Sequence, residues 1–400
     1  MTCNFDKIID RHGTNALKTD ALAERYSDAD LLPLWVADMD FATPEPIVSA
    51  LKKRLEHPIF GYTQTPESYF ESIINWLKIR QNFNVKRKWL SYIPGVVKGI
   101  GMAVNVFSEI GDKVIIQPPV YNPFQNVPER NRRQVVHNPL KLVDNQYVMD
   151  FENLEKIIDK KCKILIISNP HNPKGEVWDK KTLQTLAEIC FKHKILVVSD
   201  EIHADLTLWG RNHTPFATVS EDAAQNSITL GAPSKSFNIA GIVSSYSVVP
   251  NDKIREKFYN YLIANEFDEP TIFALVATEA AYNLCGGWLD ELKKYLESNI
   301  LFVENFIKKN IPQIKVLRPD SSFLVWLDCR NLNFNHAELV DFFVKKCKLA
   351  LNDGEMYGIG GEGFMRINIG CPKAVLEKAL LQIKLCQKIN LKNQFENLKI

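Results

Sequence analysis

Between residues 113 and 249, short apolar runs alternate with segments whose apolar residues recur at helical spacing. The short runs predict strands at Lys113–Gln117, Gln134–His137, Lys163–Ser168, Ile195–Ser199, Ser227–Leu230 and Val243–Val249. Phe151–Asp159 and Lys180–His193 show the spacing of amphipathic helices. Buried strands that alternate with helices are typical of a mainly parallel sheet covered on both faces. The pattern therefore predicts an α/β fold.

After Pro270 the pattern changes to longer helices with isolated strands. The predicted elements are helices Thr271–Leu284, Trp288–Lys309, His336–Lys346 and Lys373–Lys388, with strands at Phe323–Leu327 and Phe364–Ile369. We predict a large ligand-binding domain at 46–285, a smaller α+β domain at 286–400, and an N-terminal arm at 1–45 that contributes to the smaller domain. A cleft between two domains is a common place for a small-molecule site.

Composition narrows the classes of protein that this chain can represent. Of 400 residues, 46% are hydrophobic and 24% are charged, the balance of a folded globular protein. The 49 basic and 47 acidic residues give a net charge of +2, without the basic patch that a nucleic acid or an acidic membrane surface requires. Apolar runs such as Ile164–Ile167 are far shorter than the roughly 18 residues that span a membrane. We therefore expect neither partner.

Cysteine usage bears on compartment and on metal binding. The eight cysteines include no C-x-x-C pair, so neither a zinc site nor a disulfide framework is expected: Cys3, Cys162, Cys190, Cys285, Cys329, Cys347, Cys371 and Cys386. The first ten residues lack the apolar run of a secretion signal. Both observations predict a reducing, cytoplasmic location.

Three predicted strands end in polar residues. Asn169–Gly175 follows the third strand, Asp200–His203 follows the fourth, and Gly231–Gly241 follows the fifth. Taken singly, such residues are usually turn formers, helix caps or surface lysines. Parallel sheets, however, bind ligands beyond the carboxyl ends of their strands.

Spacing brings one residue from each of these segments together. Asn172, Asp200 and Lys235 lie 28 and 35 residues apart, about one strand–helix unit each. We expect an amide, a carboxylate and an amine at one edge of the sheet. This set suits pyridoxal phosphate (PLP): the lysine forms a Schiff base, the carboxylate keeps the pyridine nitrogen protonated, and the amide binds the phenolic oxygen.

Further motifs occur in a characteristic order along nearly the whole chain. They are Leu34–Phe41, Phe60–Tyr62, Pro118–Tyr121, Ser199–Asp205, Ser234–Gly241, Trp288–Asp290, Leu351–Gly354 and Arg366–Pro372. With this set the sequence resembles the fold-type I PLP enzymes of the class I/II aminotransferase group, and within it the C–S lyase (cystathionine β-lyase) branch. The resemblance implies a large domain with a mainly parallel sheet flanked by helices, plus a smaller α+β domain.

The resemblance also implies roles for residues around the cofactor ring. Lys235 would be the Schiff-base lysine and then the general acid/base, which requires it to lose a proton near neutral pH. Asp200 would pair with the pyridinium nitrogen, Asn172 would reach the phenolic oxygen, and His203 would lie near the ring. Tyr121 would stack on the ring, act in catalysis and contact the substrate.

At the phosphate, the resemblance implies the backbone amides of Val96 and Val97 at a helix N-terminus, together with the Ser234 hydroxyl. Tyr62 resembles the tyrosine that reaches the phosphate of the neighbouring subunit, which implies a homodimer with shared active sites. The alternative for Tyr62 is an aromatic residue packed in its loop.

The sequence departs from the family pattern at three positions. Many family members carry serine where this chain has Ala232 and arginine where it has Val243, and both differences remove phosphate contacts. C–S lyases often carry a second tyrosine at the position of Asn122, which bears on side-chain selectivity.

For the substrate, Arg366 resembles the arginine that binds the α-carboxylate, and its planar fork suits bidentate binding. The backbone around Ala37 is expected to donate to the same carboxylate. The resemblance thus implies a carbon–sulfur β-lyase that converts L-cystathionine or related S-substituted L-cysteines to a thiol, pyruvate and ammonia. An aminotransferase of the same fold shares all these residues, and a PLP-binding regulatory protein is a third interpretation.

Overall fold

The structure is a computed structural model that describes residues 3–397, with side chains through residue 387. Its helices are α1 Leu17–Asp20, α2 Leu22–Tyr26, α3 Glu45–Leu55, α4 Glu67–Gln81, α5 Val96–Phe107, α6 Pro123–Arg130, α7 Phe151–Ile157, α8 Lys180–Lys192, α9 Glu221–Gln225, α10 Asp252–Ala264, α11 Ile272–Leu284, α12 Gly286–Asn310, α13 His336–Asp341 and α14 Lys373–Asn397. Its strands are β1 Leu32–Pro33, β2 Leu90–Ile93, β3 Lys113–Ile116, β4 Gln134–His137, β5 Lys141–Val143, β6 Gln146–Val148, β7 Cys162–Ser168, β8 Leu196–Asp200, β9 Ser227–Gly231, β10 Ser245–Val248, β11 Lys315–Leu317, β12 Leu324–Asp328, β13 Leu349–Ala350, β14 Asn352–Asp353 and β15 Phe364–Asn368.

The chain divides into two compact units. Unit 1 comprises residues 1–42, 292–319 and 323–400, and unit 2 comprises residues 43–291 and 320–322. The boundaries of the units at 42/43 and 291/292 lie near the predicted domain boundaries at 45/46 and 285/286. The second limit differs because Gly286, expected to separate two helices, begins α12 and packs closely on Arg80 of unit 2. The assignment of cofactor binding to the larger domain stays a prediction here.

Unit 2 is built on a seven-stranded sheet in the order β2-β10-β9-β8-β7-β3-β4. The five strands from β9 to β4 run parallel, and β10 runs antiparallel to both of its neighbours. β7 and β8 consist largely of leucine, isoleucine and valine, which favour extended backbone and are almost completely buried. Their apolar character on both faces reflects cover by helices on both sides.

Helix α5 forms the core of unit 2 together with alternate residues of the strands. Ile100 and Val104 pack in one cluster with Ile166, Val198 and Leu230. Phe258 and Leu262 of α10 belong to the same cluster. Because α5 is held by the centre of the sheet, its N-terminus has a fixed position relative to the strand ends.

The sixth predicted strand is shorter at its beginning than the sequence suggested. Val243 lies outside β10 in a left-handed conformation, with φ of 57° and ψ of 60°, directly after a short 3-10 turn. The expected strand start is therefore wrong, because the chain must turn here before Ser245 pairs with Ile93 of β2.

Unit 1 contains a four-stranded antiparallel sheet in the order β11-β12-β15-β14. The N-terminal arm joins this unit through the parallel pair of β1 with β13. Trp326 of β12 stacks on Phe364, with ring centroids 5.2 Å apart. Helix α13 continues as a π-helix at Phe342–Lys346, where a single α-helix was expected.

Among residues 3–397, no single helix is both long and apolar enough to cross a membrane. Taken as a bent pair, with a 75° angle between them, α11 and α12 reach the required length and composition.

Candidate active site

Three adjacent parallel strands deliver the predicted amide, carboxylate and amine to one edge of the sheet in unit 2. Ser168 at the end of β7 is in register with Asp200 of β8, which is in register with Leu230 of β9. The pairing continues past the strands: the Asn169 amide donates to the Asp200 carbonyl at 2.9 Å, and the Glu201 amide donates to Leu230 at 2.8 Å. The segments that carry Asn172, Asp200 and Lys235 therefore leave the sheet side by side.

The Asp200 carboxylate is buried and receives a hydrogen bond from the Ile202 amide at 3.1 Å. Burial raises the pKa of this carboxyl from its ordinary value of 3.8 to about 7, and the neighbouring Glu201 charge also raises it. The Ile202 hydrogen bond and the Lys235 ammonium act in the opposite direction. A buried carboxylate in this state gains from any further cation placed against it.

Lys235 lies half-buried in a tight turn after β9. The Phe237 amide donates to the Pro233 carbonyl, and the Ile239 amide donates to that of Ser234, both at 3.0 Å. These two hydrogen bonds form the turn around Lys235 and fix the position of its Cα atom.

Asp205 anchors the lysine turn, a role that the sequence did not reveal. Its carboxylate accepts hydrogen bonds from Ser236 Oγ at 3.1 Å, from Trp76 Nε1 at 3.0 Å and from Gln81 Nε2 at 2.9 Å. Asp205 belongs to the 3-10 turn that follows His203, and His203 itself is buried. Asp205 thus joins the turn that carries Lys235 and the turn that follows His203 to each other and to helix α4.

Asn172 is also buried, in the loop that begins at the end of β7. Its backbone N–H donates to Ser168 Oγ at 3.1 Å, and the same hydroxyl donates to the Pro170 carbonyl. Asn169 holds the other side of this loop by donating from Nδ2 to the Thr214 carbonyl at 3.0 Å.

Two of the residues predicted to bind the phosphate, Ser234 and Tyr62, are more exposed to solvent than the buried Asp200 and Asn172. Gly95, at φ of 128°, precedes Val96 at the start of α5 and has no side chain that could cap the helix. The amides of Val96 and Val97 lie in the first turn, where a helix leaves its N–H groups without intrahelical partners. Ser234 is half-buried. Tyr62 is fully exposed, so it is not packed in its loop.

Of the three predicted substrate-binding residues, Arg366 and Ala37 lie in unit 1, and Tyr121 lies in unit 2. Arg366 in β15 is buried, donates to the Trp35 carbonyl at 3.0 Å and lies 5.2 Å from the ring centre of Tyr357. Asn368, two residues further along β15, donates from Nδ2 to the carbonyls of Val36 and Asp38, both at 2.6 Å. Strand β15 therefore fixes the segment that contains Ala37.

A network of charges holds the same segment from the N-terminal arm, again without a clear signal in the sequence. Lys18 is completely buried and lies 2.7 Å from Asp40. Arg11 binds Asp38 at 2.7 Å and Asp40 at 2.9 Å, and the pKa of its guanidinium is raised mainly by the hydrogen bond to Asp38. Two cations of the N-terminal arm thus hold the two carboxylates that closely follow Ala37 in the chain.

Comparison with known proteins identifies the class of this chain. Residues 29–383 match the family described as aminotransferase class I and II. The chain belongs to this family. The predicted fold class, a mainly parallel α/β sheet of the fold-type I PLP enzymes, is confirmed.

Within the family, the chain is similar to carbon–sulfur lyases. It is 46% identical to cystathionine beta-lyase PatB from Bacillus subtilis (strain 168) over 382 residues, which are 95% of this chain and 99% of PatB. The structure of cystalysin from Treponema denticola, which contains a pyridoxal 5'-phosphate cofactor, is 35% identical with a TM-score of 0.94 and covers 97% of this chain and 99% of that one. The PLP-bound C–S lyase from Staphylococcus hominis is 33% identical with a TM-score of 0.89, covering 96% and 97%. The resemblance to the C–S lyase branch is therefore confirmed.

Proposed function

We propose that this chain is a PLP-dependent carbon–sulfur β-lyase that cleaves L-cystathionine or related S-substituted L-cysteines to a thiol, pyruvate and ammonia. The observation that carries the proposal is the placement of the Lys235 turn beside the buried Asp200 carboxylate, in a chain closely similar to a cystathionine beta-lyase.

The residues present fit PLP. Burial raises the pKa of the Asp200 carboxyl, and a protonated pyridine nitrogen is a cation that would restore its charged form. The uncapped first turn of α5 suits a phosphate, through the amides of Val96 and Val97 with the Ser234 hydroxyl. When bound, PLP supplies an electron sink that stabilises negative charge at the substrate Cα.

Each proposed catalytic group has a distinct task. Lys235 would hold the cofactor covalently, and its free amine would remove the proton from the substrate Cα. Asp200 would keep the ring nitrogen protonated, and Asn172 and His203 would hold the ring edge. Tyr121 would pack on the ring face and contact the substrate, and so restrict the direction from which the substrate approaches.

Arg366 is proposed to bind the substrate α-carboxylate, with the backbone at Ala37 as a second donor. Its guanidinium is always charged and carries two parallel donors. The hydrogen bond to Trp35 fixes the plane of the fork before any substrate arrives. A fixed carboxylate sets the orientation of the Cα–H bond, on which the choice of reaction depends.

In the overall reaction, the Cα–H and Cβ–S bonds break and the sulfur leaves with its electron pair as a thiolate. Addition of water to the remaining unsaturated amino acid yields pyruvate and ammonia. The same residues would also serve amino transfer, in which the Cα–H bond breaks, the Cβ–S bond stays intact, and the amino group passes to a 2-oxo acid. The two functions are therefore distinguished by the relative rates of elimination and amino transfer.

The test follows release of pyruvate and thiol from L-cystathionine beside amino transfer from L-alanine to a 2-oxo acid. We expect elimination to be faster by about a hundredfold, which corresponds to ~2.7 kcal/mol of barrier difference. Faster amino transfer from alanine would overturn the lyase assignment in favour of an aminotransferase. Bound PLP without either reaction would support the regulatory interpretation.

We further propose that the protein is a homodimer in which Tyr62 completes the phosphate site of the partner. Tyr62 is fully exposed, as are most of Ile59 and half of Phe60. Phe60 and Tyr62 border an open depression of about 810 Å³ between the segments 60–65 and 268–273. An exposed cluster of this kind is typical of a protein interface.

Mixing two variants, at a PLP concentration at which each alone is largely inactive, tests the sharing of sites. Lys235→Ala and Tyr62→Ala, refolded together, should form hybrids with one intact site and up to about half of the parent activity. Verified hybrids without activity would place Tyr62 outside the partner's site.

A cytoplasmic location is also proposed. It is supported by the absence of disulfides among the eight cysteines, all of which lie in the described part of the chain.

A further inference from the structure

His171 connects the loop of Asn172 to the loop of Tyr121. Its Nε2 atom lies 2.8 Å from the carbonyl oxygen of Pro119. His171 directly precedes Asn172 in the loop after β7, and Pro119 stands two residues before Tyr121 in the loop after β3. The strands β3 and β7 are parallel neighbours in the sheet. This side chain therefore joins two loops that leave adjacent strands.

The backbone of His171 is held by hydrogen bonds, and its imidazole contacts two aromatic rings. The backbone amide donates to the Glu176 carbonyl at 2.8 Å, and the backbone carbonyl accepts from the Gly175 amide at 2.7 Å. The ring lies between two aromatic side chains, with centroids 5.6 Å from Tyr147 and 5.7 Å from Trp178. Trp178 is itself held by a hydrogen bond from Nε1 to the Ser168 carbonyl at 2.9 Å.

The protonation state of His171 follows from these contacts. Burial, assisted by the nearby Lys174 ammonium, lowers the pKa of the imidazole to about 3, so the ring is neutral at physiological pH. A carbonyl oxygen only accepts hydrogen bonds, so the proton resides on Nε2. Nδ1 makes no hydrogen bond within the described residues. The ring thus serves as a single fixed donor and not as an acid or base.

We propose that His171 is a positioning residue that sets Tyr121 relative to Asn172 and thereby fixes the tilt of the cofactor ring between them. The proposal rests on the proposed function and adds to it a residue that does not itself contact the cofactor. Loss of the donor would leave the Pro119 carbonyl without this hydrogen bond and release the Tyr121 loop from the Asn172 loop.

Two substitutions separate the donor from the volume of the ring. His171→Phe keeps an aromatic ring between Tyr147 and Trp178 but has no donor, whereas His171→Gln keeps an N–H group at about the reach of Nε2. We expect His171→Phe to weaken PLP binding about fivefold to tenfold, as for the loss of one ordinary hydrogen bond. It should also reduce the circular dichroism of bound PLP in the visible range, which reports the asymmetric placement of the ring. His171→Gln should restore both.

A double substitution tests whether the effect passes through Tyr121. In the parent protein, Tyr121→Leu should weaken PLP binding by a larger factor than it does in the His171→Phe background, because the ring there is already displaced. Independent effects, or an unchanged visible signal in folded, PLP-bound His171→Phe, would overturn the proposal. If His171→Phe does not fold, His171→Asn replaces it with the same expectations, since its amide is too short to reach Pro119.

His193→Phe is the matched control, because this histidine ends helix α8 and belongs to neither loop. It should bind PLP as the parent does, and an equal loss in this variant would count against a specific role of His171. Failure of the proposed function is recognised separately, since the parent protein itself would then bind no PLP or would not release thiol from L-cystathionine, whereas the expectations for His171 concern PLP binding and its visible signal.

Discussion

The two ends of the candidate site in unit 2 are built differently. At the ring end, Asp200 and Asn172 are buried, and their loops are joined by hydrogen bonds to neighbouring strands and turns. At the phosphate end, the groups offered are backbone amides of α5, one half-buried hydroxyl of Ser234 and the exposed Tyr62. Under the proposed function, folding of one chain completes the ring end, whereas the phosphate end would depend on the helix N-terminus and on the outward-facing Tyr62.

This difference indicates a division of tasks. Substitutions at the ring end should change the chemistry, because they alter the charge and orientation of the reacting ring. Substitutions at the phosphate end should mainly change how firmly the cofactor is retained.

The largest effect is expected at Lys235. Lys235→Ala should lower lyase activity by at least about 10⁴-fold, because this residue is proposed to supply both the covalent attachment and the proton transfer. In the parent protein, borohydride reduction followed by peptide mapping should find the pyridoxyl label on Lys235. A label on another lysine would contradict the assignment of the whole ring end.

Asp200→Asn should reduce activity at saturating PLP by about 10²- to 10³-fold, since an amide cannot keep the ring nitrogen protonated. The comparison of kcat at several PLP concentrations separates this loss from weaker binding. If added PLP restores full activity, the ring end acts in retention and the proposed division fails.

Asp200→Asn, which lowers activity, should raise the stability of the cofactor-free protein near neutral pH, where the buried carboxylate is costly. The pKa of the Asp200 carboxyl is raised from 3.8 to about 7 in the folded state, so its contribution to stability is fully present below pH 3.8 and is lost as pH rises through about 7. Asp200→Asn should therefore flatten the dependence of the unfolding temperature between pH 4 and 7 (about the interval of the shift). Glu71→Gln, at an exposed position of α4, serves as the control that keeps the parent slope.

Ser234→Ala should weaken PLP binding by about tenfold at most and change kcat at saturating PLP by less than about threefold. Equilibrium titration of the cofactor-free protein measures the first quantity, and steady-state kinetics measures the second. A large loss of kcat would show that the phosphate end also shapes the chemistry.

The smallest effect is expected at Val243. A β-branched residue in the left-handed region is strained, and this side chain is 41% exposed. Val243→Asn should raise the free energy of unfolding by about 1 kcal/mol without changing PLP affinity. Denaturant titration gives the first value, and Val148→Asn, at an exposed position of β6, is a control without a positive φ. A loss of PLP affinity in Val243→Asn would mean that the valine contributes to the phosphate end.

The sequence predicts those parts of the fold that depend on local patterns. The buried parallel strands are recognisable because both of their faces are apolar, and Gln134–His137 has the predicted bounds. β2 escapes prediction because its four residues, Leu90–Ile93, include a serine and lie at the edge of the sheet. The left-handed turn at Val243 contradicts the local preference of valine and is imposed by the following strand.

For the site, the predictable residues are those placed by topology alone. Asn172, Asp200 and Lys235 follow strand ends at regular spacing, which the sequence displays directly. Asp205 and His171 depend on contacts with residues far away in the chain, at Trp76 and Pro119. No periodicity encodes such contacts, so these residues emerge only from the folded chain.

The short segment Asp320–Ser322 has a consequence for the order in which the molecule can mature on the ribosome. These residues pack with unit 2 although the chain on both sides belongs to unit 1. The buried Lys174 lies 2.8 Å from Glu176 and 3.9 Å from Asp320, and Thr207 pairs with Ser321. Unit 2 therefore cannot close until residue 322 has left the exit tunnel, and the pairing of β1 with β13 must wait until residue 350. The nascent chain thus stays incomplete in both units until most of it has been synthesised, and incompletely folded chains of this kind expose apolar surface that favours aggregation.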